Sequence, residues 1–304
     1  MSVTVRAPAK VNLALVVGRA RADGFHPLNT VYQAISLYDD VRVTAAEGWS
    51  VTVAPIGEVD CSGVPLDEGN IALRAGRLLA AHHGHDRAAT VEIRKGIPVA
   101  GGLAGGSADA AATLVALDRL WDAQTSDEDL LALAAELGSD VPFALIGGTA
   151  HGTGRGEVVT ALRDRCTFWW VVVPSDEGLS TPAVYRELDR LRPRVGVGAH
   201  VNDPRGLISA LATGAHDRAA AAMHNDLQQA AVSLRPELAE RMDLVSLHKR
   251  NTVMVSGSGP TIIGVAKTQD SARRTRAALL EAGIPVVHVA TGPVAGAHVV
   301  EYVE

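Results

Sequence analysis

The segment that most limits what this chain can become is rich in glycine: Ile97-Pro98-Val99-Ala100-Gly101-Gly102-Leu103-Ala104-Gly105-Gly106-Ser107-Ala108-Asp109. It follows a β-branched run at 90–93 and opens an Ala/Leu-rich run that reaches about Trp121. Glycine tolerates φ > 0 and lets a ligand approach the main chain closely. A helix starting there leaves unpaired amides and about half a positive charge at its first turn, a combination that attracts phosphate. Ser107 adds a hydroxyl able to face phosphate or magnesium. On the residues alone two readings stay open, a phosphate cradle and a purely structural turn. The segment is not a Walker loop, because no Lys-Ser/Thr pair follows Gly106. It is not a Rossmann fingerprint either, because Gly-x-Gly-x-x-Gly cannot be placed in the strand–turn–helix context that motif needs.

Around this segment the pattern alternates between strand and helix. Residues 11–17 and 90–93 read as strands. Residues 70–81 read as a helix with Ile71, Ala75, Leu78 and Leu79 on one face. The helix after the glycine segment has so few polar residues that burial is expected. Ser126 and Asp129 resemble a capping box for a helix ending near Gly138. The second half reads as a strand at 169–173, a helix at 183–191, several helices between 204 and 247, and strands at 252–256 and 261–266 around Gly257-Ser258-Gly259-Pro260. A helix at 271–282 and a strand at 286–290 complete it. With its extra helices this is β-α-β-β-α-β, the ferredoxin-like order. The residues 192–202 read as a loop.

At 304 residues, the chain has room for about two domains of ordinary size. A boundary near residue 160 follows a glycine-dense stretch at 147–156. The composition, 47% hydrophobic and 20% charged, excludes a disordered chain. A net charge of −6 excludes a global positive field for nucleic acid, so anionic ligands would need local amides and single lysines. Cys61 and Cys166 form no CxxC and read as reduced thiols. No apolar run approaches the roughly 18–20 residues of a membrane span. The expected setting is cytoplasmic. His82-His83-Gly84-His85 reads as a solvated helix end rather than a metal site.

Further motifs carry a family resemblance. Pro8-Ala9-Lys10-Val11-Asn12-Leu13, Asp23-Gly24-Phe25-His26-Pro27-Leu28, Thr30 and Gln33 resemble the N-terminal signature of the 4-diphosphocytidyl-2-C-methyl-D-erythritol kinase family. That family lies within the galactokinase, homoserine kinase, mevalonate kinase and phosphomevalonate kinase superfamily. Residues 98–112 resemble the superfamily's ATP loop. Gly138-Ser139-Asp140-Val141-Pro142-Phe143 resembles its catalytic-aspartate segment, and Leu179-Ser180-Thr181-Pro182-Ala183-Val184-Tyr185 its substrate-side segment. Ser256-Gly257-Ser258-Gly259-Pro260-Thr261 resembles its third motif. The matches are collinear from residue 8 to about 266. Ala100 and Ala104 stand where the family often has glycine, Ala108 where it often has serine, and Phe25 where it often has tyrosine. Each of the three alanines lacks easy access to φ > 0.

The resemblance implies an α+β fold of two domains with ligands in the cleft between them. Residues 1–160 would form a ribosomal-protein-S5-domain-2-like domain for ATP binding and catalysis. Residues 161–304 would form a ferredoxin-like domain that contributes to the substrate site. It implies ATP-dependent phosphorylation of the 2-hydroxyl of a cytidine-diphosphate-linked methylerythritol in the non-mevalonate isoprenoid pathway, with ATP and Mg2+ as cofactors. No sure protein ligand for the metal is evident, and oligomeric state is not readable. Asp140 would take or orient the hydroxyl proton, with Lys10 beside it keeping it ionised. Their rival readings are a helix-end cap and a solvated lysine. Lys10, Asn12, Phe25, His26, Asp140, Thr181 and Tyr185 would bind the substrate, Phe25 and Tyr185 by sandwiching the pyrimidine and His26 by reading its edge. Structural hydrogen bonding by Asn12, a plain loop histidine, core or rim aromatics, and helix capping by Thr181 are the alternatives. Asn70, Lys95 and Asp109 would surround adenine and ribose, while Pro98, Val99, Ala100, Gly101, Gly102, Leu103, Ala104, Gly105, Gly106, Ser107 and Ala108 would hold the phosphates. Asn70 also suits a helix N-cap, and Lys95 a surface strand end. The stretch Asp23 to Leu28 argues against a homoserine, mevalonate or sugar kinase. The joint presence of Lys10 and Asp140 argues against a silent nucleotide binder. The lack of an arginine in the motifs argues against a decarboxylase.

Overall fold

The longest pairing in the protein joins its first two strands, β1 (Ser2–Val17) and β2 (Leu28–Ala46), antiparallel and in register from Ser2↔Thr44 to Val17↔Leu28. The computed structural model describes residues 1–99, 101–175, 177–192, 203–247 and 252–303. Ala100 and all but the first residue of the expected 192–202 loop lie outside the described residues. β1 runs near the middle of its sheet, which explains a nearly continuous buried run where an edge strand would alternate. Pro8 has no N–H to give the ladder, and the register shifts between Pro8 and Ala9. A second shift lies between Asn12 and Ala14. Such bulges re-aim side chains, and Lys10 and Asn12, two apart on the strand, turn to the same face.

β3 (Ser50–Pro55) is followed by α1 (Ile71–His82), β4 (Ala88–Lys95), α2 (Gly105–Trp121), α3 (Asp127–Leu137), α4 (Val141–Ile146), β5 (Thr149–Thr153) and β6 (Val158–Ala161). β2 is long enough for two partners, β5 at Thr30–Gln33 and β4 at Asp39–Ala46. The path of the first sheet is completed by β3 beside β4. Helix α2 packs over β1 and β2, and its alanines 108, 110, 111, 112 and 116 are fully buried. Small side chains let the backbone of α2 lie close to the sheet, so the start of the helix is held firmly.

The chain then forms β7 (Phe168–Val173), α5 (Thr181–Leu191), α6 (Arg205–Thr213), α7 (His216–Ala221), β8 (His224–Asn225), α8 (Gln228–Leu234), α9 (Glu237–Leu247), β9 (Val253–Val255), β10 (Ile262–Ala266), α10 (Gln269–Glu281), β11 (His288–Gly292) and β12 (His298–Val303). The second sheet has the order β11-β7-β10-β9, all antiparallel. That is the ferredoxin-like order, with β7, β9, β10 and β11 in the four strand positions. The sequence periodicity missed two returns to the first sheet. β12 pairs antiparallel with β1 at Ser2–Arg6, and β8 pairs in parallel with Ala14 and Leu15. Non-local pairing of short strands leaves no period to read. Among the described residues no helix is long and apolar enough to cross a membrane.

A buried ionic cluster ties the first sheet to α2. Strand parity turns Lys95 inward with Val91 and Ile93, while Glu92 and Arg94 face out. Lys95 Nζ donates to Asp39 Oδ2 at 2.5 Å and Asp109 Oδ2 at 2.8 Å. Asp39 Oδ1 accepts the amides of Gly96 at 2.7 Å and Ile97 at 2.9 Å. One ammonium thus faces two carboxylates, and Asp109 Oδ1 is buried without a partner. Burial pushes the Asp109 carboxyl well above its usual range; Lys95 opposes this and Asp39 adds to it. Burial alone would lower Lys95, but Asp109 and Asp39 together raise it.

The Asp109 carboxyl therefore binds its proton more tightly in the folded protein than in the unfolded chain. The stability this contributes is full below the ordinary carboxylate range and is lost as pH rises through the raised value. Asp109→Asn, which cannot ionise, should accordingly gain stability relative to wild type as pH rises from about 4 to about 8, measured by urea unfolding. A difference independent of pH would show that Asp109 is not the group concerned.

Candidate active site

A cleft of about 760 Å³ opens between the glycine segment, the second half of β1, α5 and the Gly257–Gly259 turn. Its floor is the glycine segment itself. The amides of Gly96 and Ile97, at the segment's entry, are held by Asp39. The Leu103 carbonyl accepts the Lys10 amide at 3.1 Å. The Gly102 carbonyl accepts from Lys10 Nζ at 3.0 Å and from Ser256 Oγ at 3.2 Å. Gly102 lies at φ +75°, and a Cβ there would stand 2.3 Å from the Ser256 carbonyl oxygen. Only glycine fits.

Ala104 does what its side chain disfavours. It sits at φ 59°, ψ 35°, in the left-handed region, as the N-cap of α2. It offers no side-chain cap, and no acidic residue lies in the first turn. Ala104, Gly105 and Gly106 line the cleft. Among the described residues no side chain caps the amides at the head of this 17-residue helix, which meet the cleft. This suits a phosphate. Ala108, by contrast, is an ordinary buried helical residue.

Lys10 and Asp140 meet at this helix start. Lys10 is 5% exposed and spends two of its three N–H bonds on Asn12 Oδ1, at 2.8 Å, and the Gly102 carbonyl. Asp140 Oδ2 stands 3.9 Å from Nζ, too far for a hydrogen bond. Burial lowers the Lys10 ammonium, and Asp140 opposes this. Asp140 is the N-cap position of α4, yet its carboxylate makes no capping bond. It is left facing the cleft, lined there with Tyr32. Burial, then the charge of Asp140, raises the Tyr32 phenol well above its usual value, and Tyr185 is raised by the same two causes.

The opposite wall comes from the loop before β2 and from α5. Phe25 is exposed, with the Arg155 guanidinium 5.3 Å above its ring. His26 is buried, 5.0 Å from the Tyr185 ring at a 41° tilt. Its Nε2 lies 3.0 Å from both oxygens of Asp189. Thr181 is the first residue of α5 rather than its N-cap, which is Ser180, and its hydroxyl bonds Ser258 Oγ at 2.7 Å. The Gly257 turn is tied down by Asn225, whose Nδ2 donates to the Val255 and Gly257 carbonyls.

Of the residues expected at a ligand, Lys10, Asn12, Phe25, His26, Asp140, Thr181 and Tyr185 all line this one cleft. Asn12 does so with its amide partly engaged: Oδ1 accepts from Lys10 and Nδ2 donates one N–H to Thr30 Oγ1 at 2.9 Å. Asn70, Lys95 and Asp109 do not line it. Asn70 is a helix N-cap, accepting from the Ala72 amide at 2.9 Å and donating to the Pro65 carbonyl at 2.7 Å. Lys95 and Asp109 are committed to the buried cluster. These three therefore make their contacts inside the protein, away from the lining of this cleft. Sequence reasoning missed Tyr32, Arg155 and Asp189. Asp189 was findable, since it follows Tyr185 by one helical turn. Arg155 lay in a glycine stretch with no period. The His82–His85 group ends α1 at the surface, with His82 and Gly84 exposed and His83 and His85 half-buried, His83 Nε2 lying 2.8 Å from Thr125 Oγ1 and His85 edge-on to Trp121. Among the described residues no three His, Cys, Asp or Glu side chains gather as a metal site.

Comparison with known proteins gives the arrangement a context. Residues 70–148 match the GHMP kinases N terminal domain, and residues 207–284 match the GHMP kinases C terminal family. A protein of Nocardioides sp. named 4-diphosphocytidyl-2-C-methyl-D-erythritol kinase is 58% identical over 98% of this chain and 100% of its own length. One of the same name from Rhodococcus jostii is 50% identical, over 98% of this chain and 95% of its own. A crystal structure of 4-(cytidine 5'-diphospho)-2C-methyl-D-erythritol kinase superposes with a TM-score of 0.75 at 33% identity, covering 96% of this chain and 98% of that one.

The left-handed Ala104 gives a direct test of strain in the loop. A non-glycine residue there costs about 1–2 kcal/mol, partly offset by the chain entropy that glycine restores on unfolding. Ala104→Gly should therefore stabilise the protein by about 0.5–1 kcal/mol in urea unfolding. A loss of stability of that size would mean that the alanine methyl packs usefully.

Proposed function

Since this chain belongs to the GHMP kinases, a family of ATP-dependent kinases, and groups with relatives named 4-diphosphocytidyl-2-C-methyl-D-erythritol kinase, we propose how its cleft performs that reaction. The 2-hydroxyl oxygen of the cytidine-diphosphate-linked methylerythritol attacks the γ-phosphorus of ATP. The bond from that phosphorus to the β–γ bridging oxygen breaks, ADP leaves, and the hydroxyl proton passes to Asp140. The product serves the non-mevalonate isoprenoid pathway.

The observation that carries this reading is the gap between Lys10 and Asp140. An ammonium and a carboxylate 3.9 Å apart, beside an uncapped helix start, leave room for a phosphoryl oxygen at the one and a hydroxyl at the other. Lys10 neutralises charge gathering on the transferred group, and its anchorage to Asn12 and Gly102 keeps that cation in place. Asn12 thus works through Lys10. The α2 amides and the glycine segment hold the nucleotide's phosphates. Mg2+, when bound, would neutralise them further, and the Ser107 hydroxyl in the first turn of α2 is the protein group able to face it. Phe25, His26 and Tyr185 take the cytosine, Thr181 supports the same ligand, and Arg155 above Phe25 supplies a cation for its diphosphate. Two free cysteines agree with a cytoplasmic setting.

A coupled assay of ADP release, with ATP, Mg2+ and the cytidine-diphosphate methylerythritol, tests the reading. Wild type should turn over, and Asp140→Asn should lose at least about 10² in kcat, with Lys10→Met comparably impaired. Turnover with homoserine or mevalonate instead would keep the fold and sink the substrate. No turnover with any of them, despite ATP binding, would point to a silent nucleotide binder.

A further inference from the structure

The cytidine reading above leaves open why an amino-bearing base should be preferred to its carbonyl counterpart, and the surroundings of His26 bear on that choice. His26 is buried, and its Nε2 is 3.0 Å from each oxygen of Asp189. Asp189 lies one turn beyond Tyr185 on α5, so both face the imidazole, the ring at 5.0 Å and the carboxylate at its edge. The carboxylate is itself steadied. Arg192 Nη1 lies 3.8 Å from Asp189 Oδ1 and donates to the Gly18 carbonyl at 2.7 Å, which fastens this end of α5 to the end of β1.

A carboxylate can only accept hydrogen bonds. Nε2 must then carry the hydrogen, and the neutral ring presents its lone pair at Nδ1. Among the described residues no hydrogen bond engages Nδ1, and Nδ1 is not one of the sealed polar atoms that lack a partner. It is open to the cleft that His26 lines. An acceptor at that position suits the exocyclic amine of cytosine and opposes the carbonyl that uracil carries in its place.

We infer that Asp189 is a positioning residue that sets base specificity: by holding the Nε2 hydrogen of His26 it makes Nδ1 an acceptor, so the cleft takes cytidine and rejects uridine. Asn at 189 would release this constraint. Its amide offers either an oxygen or an N–H to Nε2, and the second choice moves the ring hydrogen to Nδ1.

The test compares kcat/KM for the cytidine- and uridine-diphosphate forms of the methylerythritol substrate in wild type and Asp189→Asn. Wild type should favour the cytidine form by at least about 10²-fold. In D189N that ratio should fall by at least about 10-fold, with the loss on the cytidine form appearing more in KM than in kcat. Nitrogen-15 NMR of His26 supplies a readout that a merely structural role would not move: hydrogen on Nε2 in wild type, and a share of the Nδ1–H form in the variant. An unchanged ratio in folded D189N, or a wild-type His26 with its hydrogen on Nδ1, overturns the inference. Failure of wild type to use either nucleotide would instead remove the functional reading on which this rests. In that event, or if D189N does not fold, the wild-type NMR spectrum still decides whether Asp189 holds the tautomer.

Discussion

Lys95, buried between Asp39 and Asp109, is the interaction on which the rest of the site depends. It joins three elements that are far apart in the chain: β2 through Asp39, the end of β4 through its own backbone, and the first turns of α2 through Asp109. Asp39 also takes the amides with which the glycine segment begins. Both ends of the segment are thereby fastened to one point. Such a cluster gains little net stability, because desolvation offsets most of the Coulomb attraction, but breaking it would strand a buried charge. Its effect here is geometric. The glycines between the fastened ends can take left-handed and closely packed conformations without the loop wandering.

Upon that anchored loop a second set of contacts builds the chemistry. Lys10 reaches from β1 to the Gly102 carbonyl, and Ser256 reaches the same carbonyl from the other side. The first strand and the turn after β9 therefore meet on one peptide group. Asn225 secures that turn from β8, which is itself paired to β1. The two sheets are thus coupled at the place where the cleft needs both. β12 strengthens the coupling by bringing the end of the chain back beside Ser2–Arg6. A kinase must position two substrates and one cation together, and this arrangement makes the position of Lys10 a property of both halves.

Much of this was legible in the residues themselves. The glycine segment before an alanine-rich helix marked one side of the cleft, and the ordered motifs marked Lys10, Asp140 and the wall formed by Phe25, His26, Thr181 and Tyr185. Helix caps at Asn70 and Ser126 were readable because a cap is local chemistry, satisfied within a few residues. The ferredoxin-like order of the second half was readable for the same reason, as a succession of local periods.

What tertiary structure alone decided is which polar groups were left over for a ligand. Lys95, Asp109 and Asn70 have the right chemistry for a nucleotide, yet they bond partners within the protein up to 56 residues away in sequence and lie off the cleft lining. Asn12 likewise bonds Lys10 and Thr30, though it lines the cleft. Asp189 acquired a role only because α5 packs against the loop before β2, 163 residues distant. Local sequence determines where backbone turns, caps and helix starts occur, since those depend on neighbours along the chain. Whether a buried charge is paired or free depends on desolvation and on contacts between distant segments, and only the folded chain settles those.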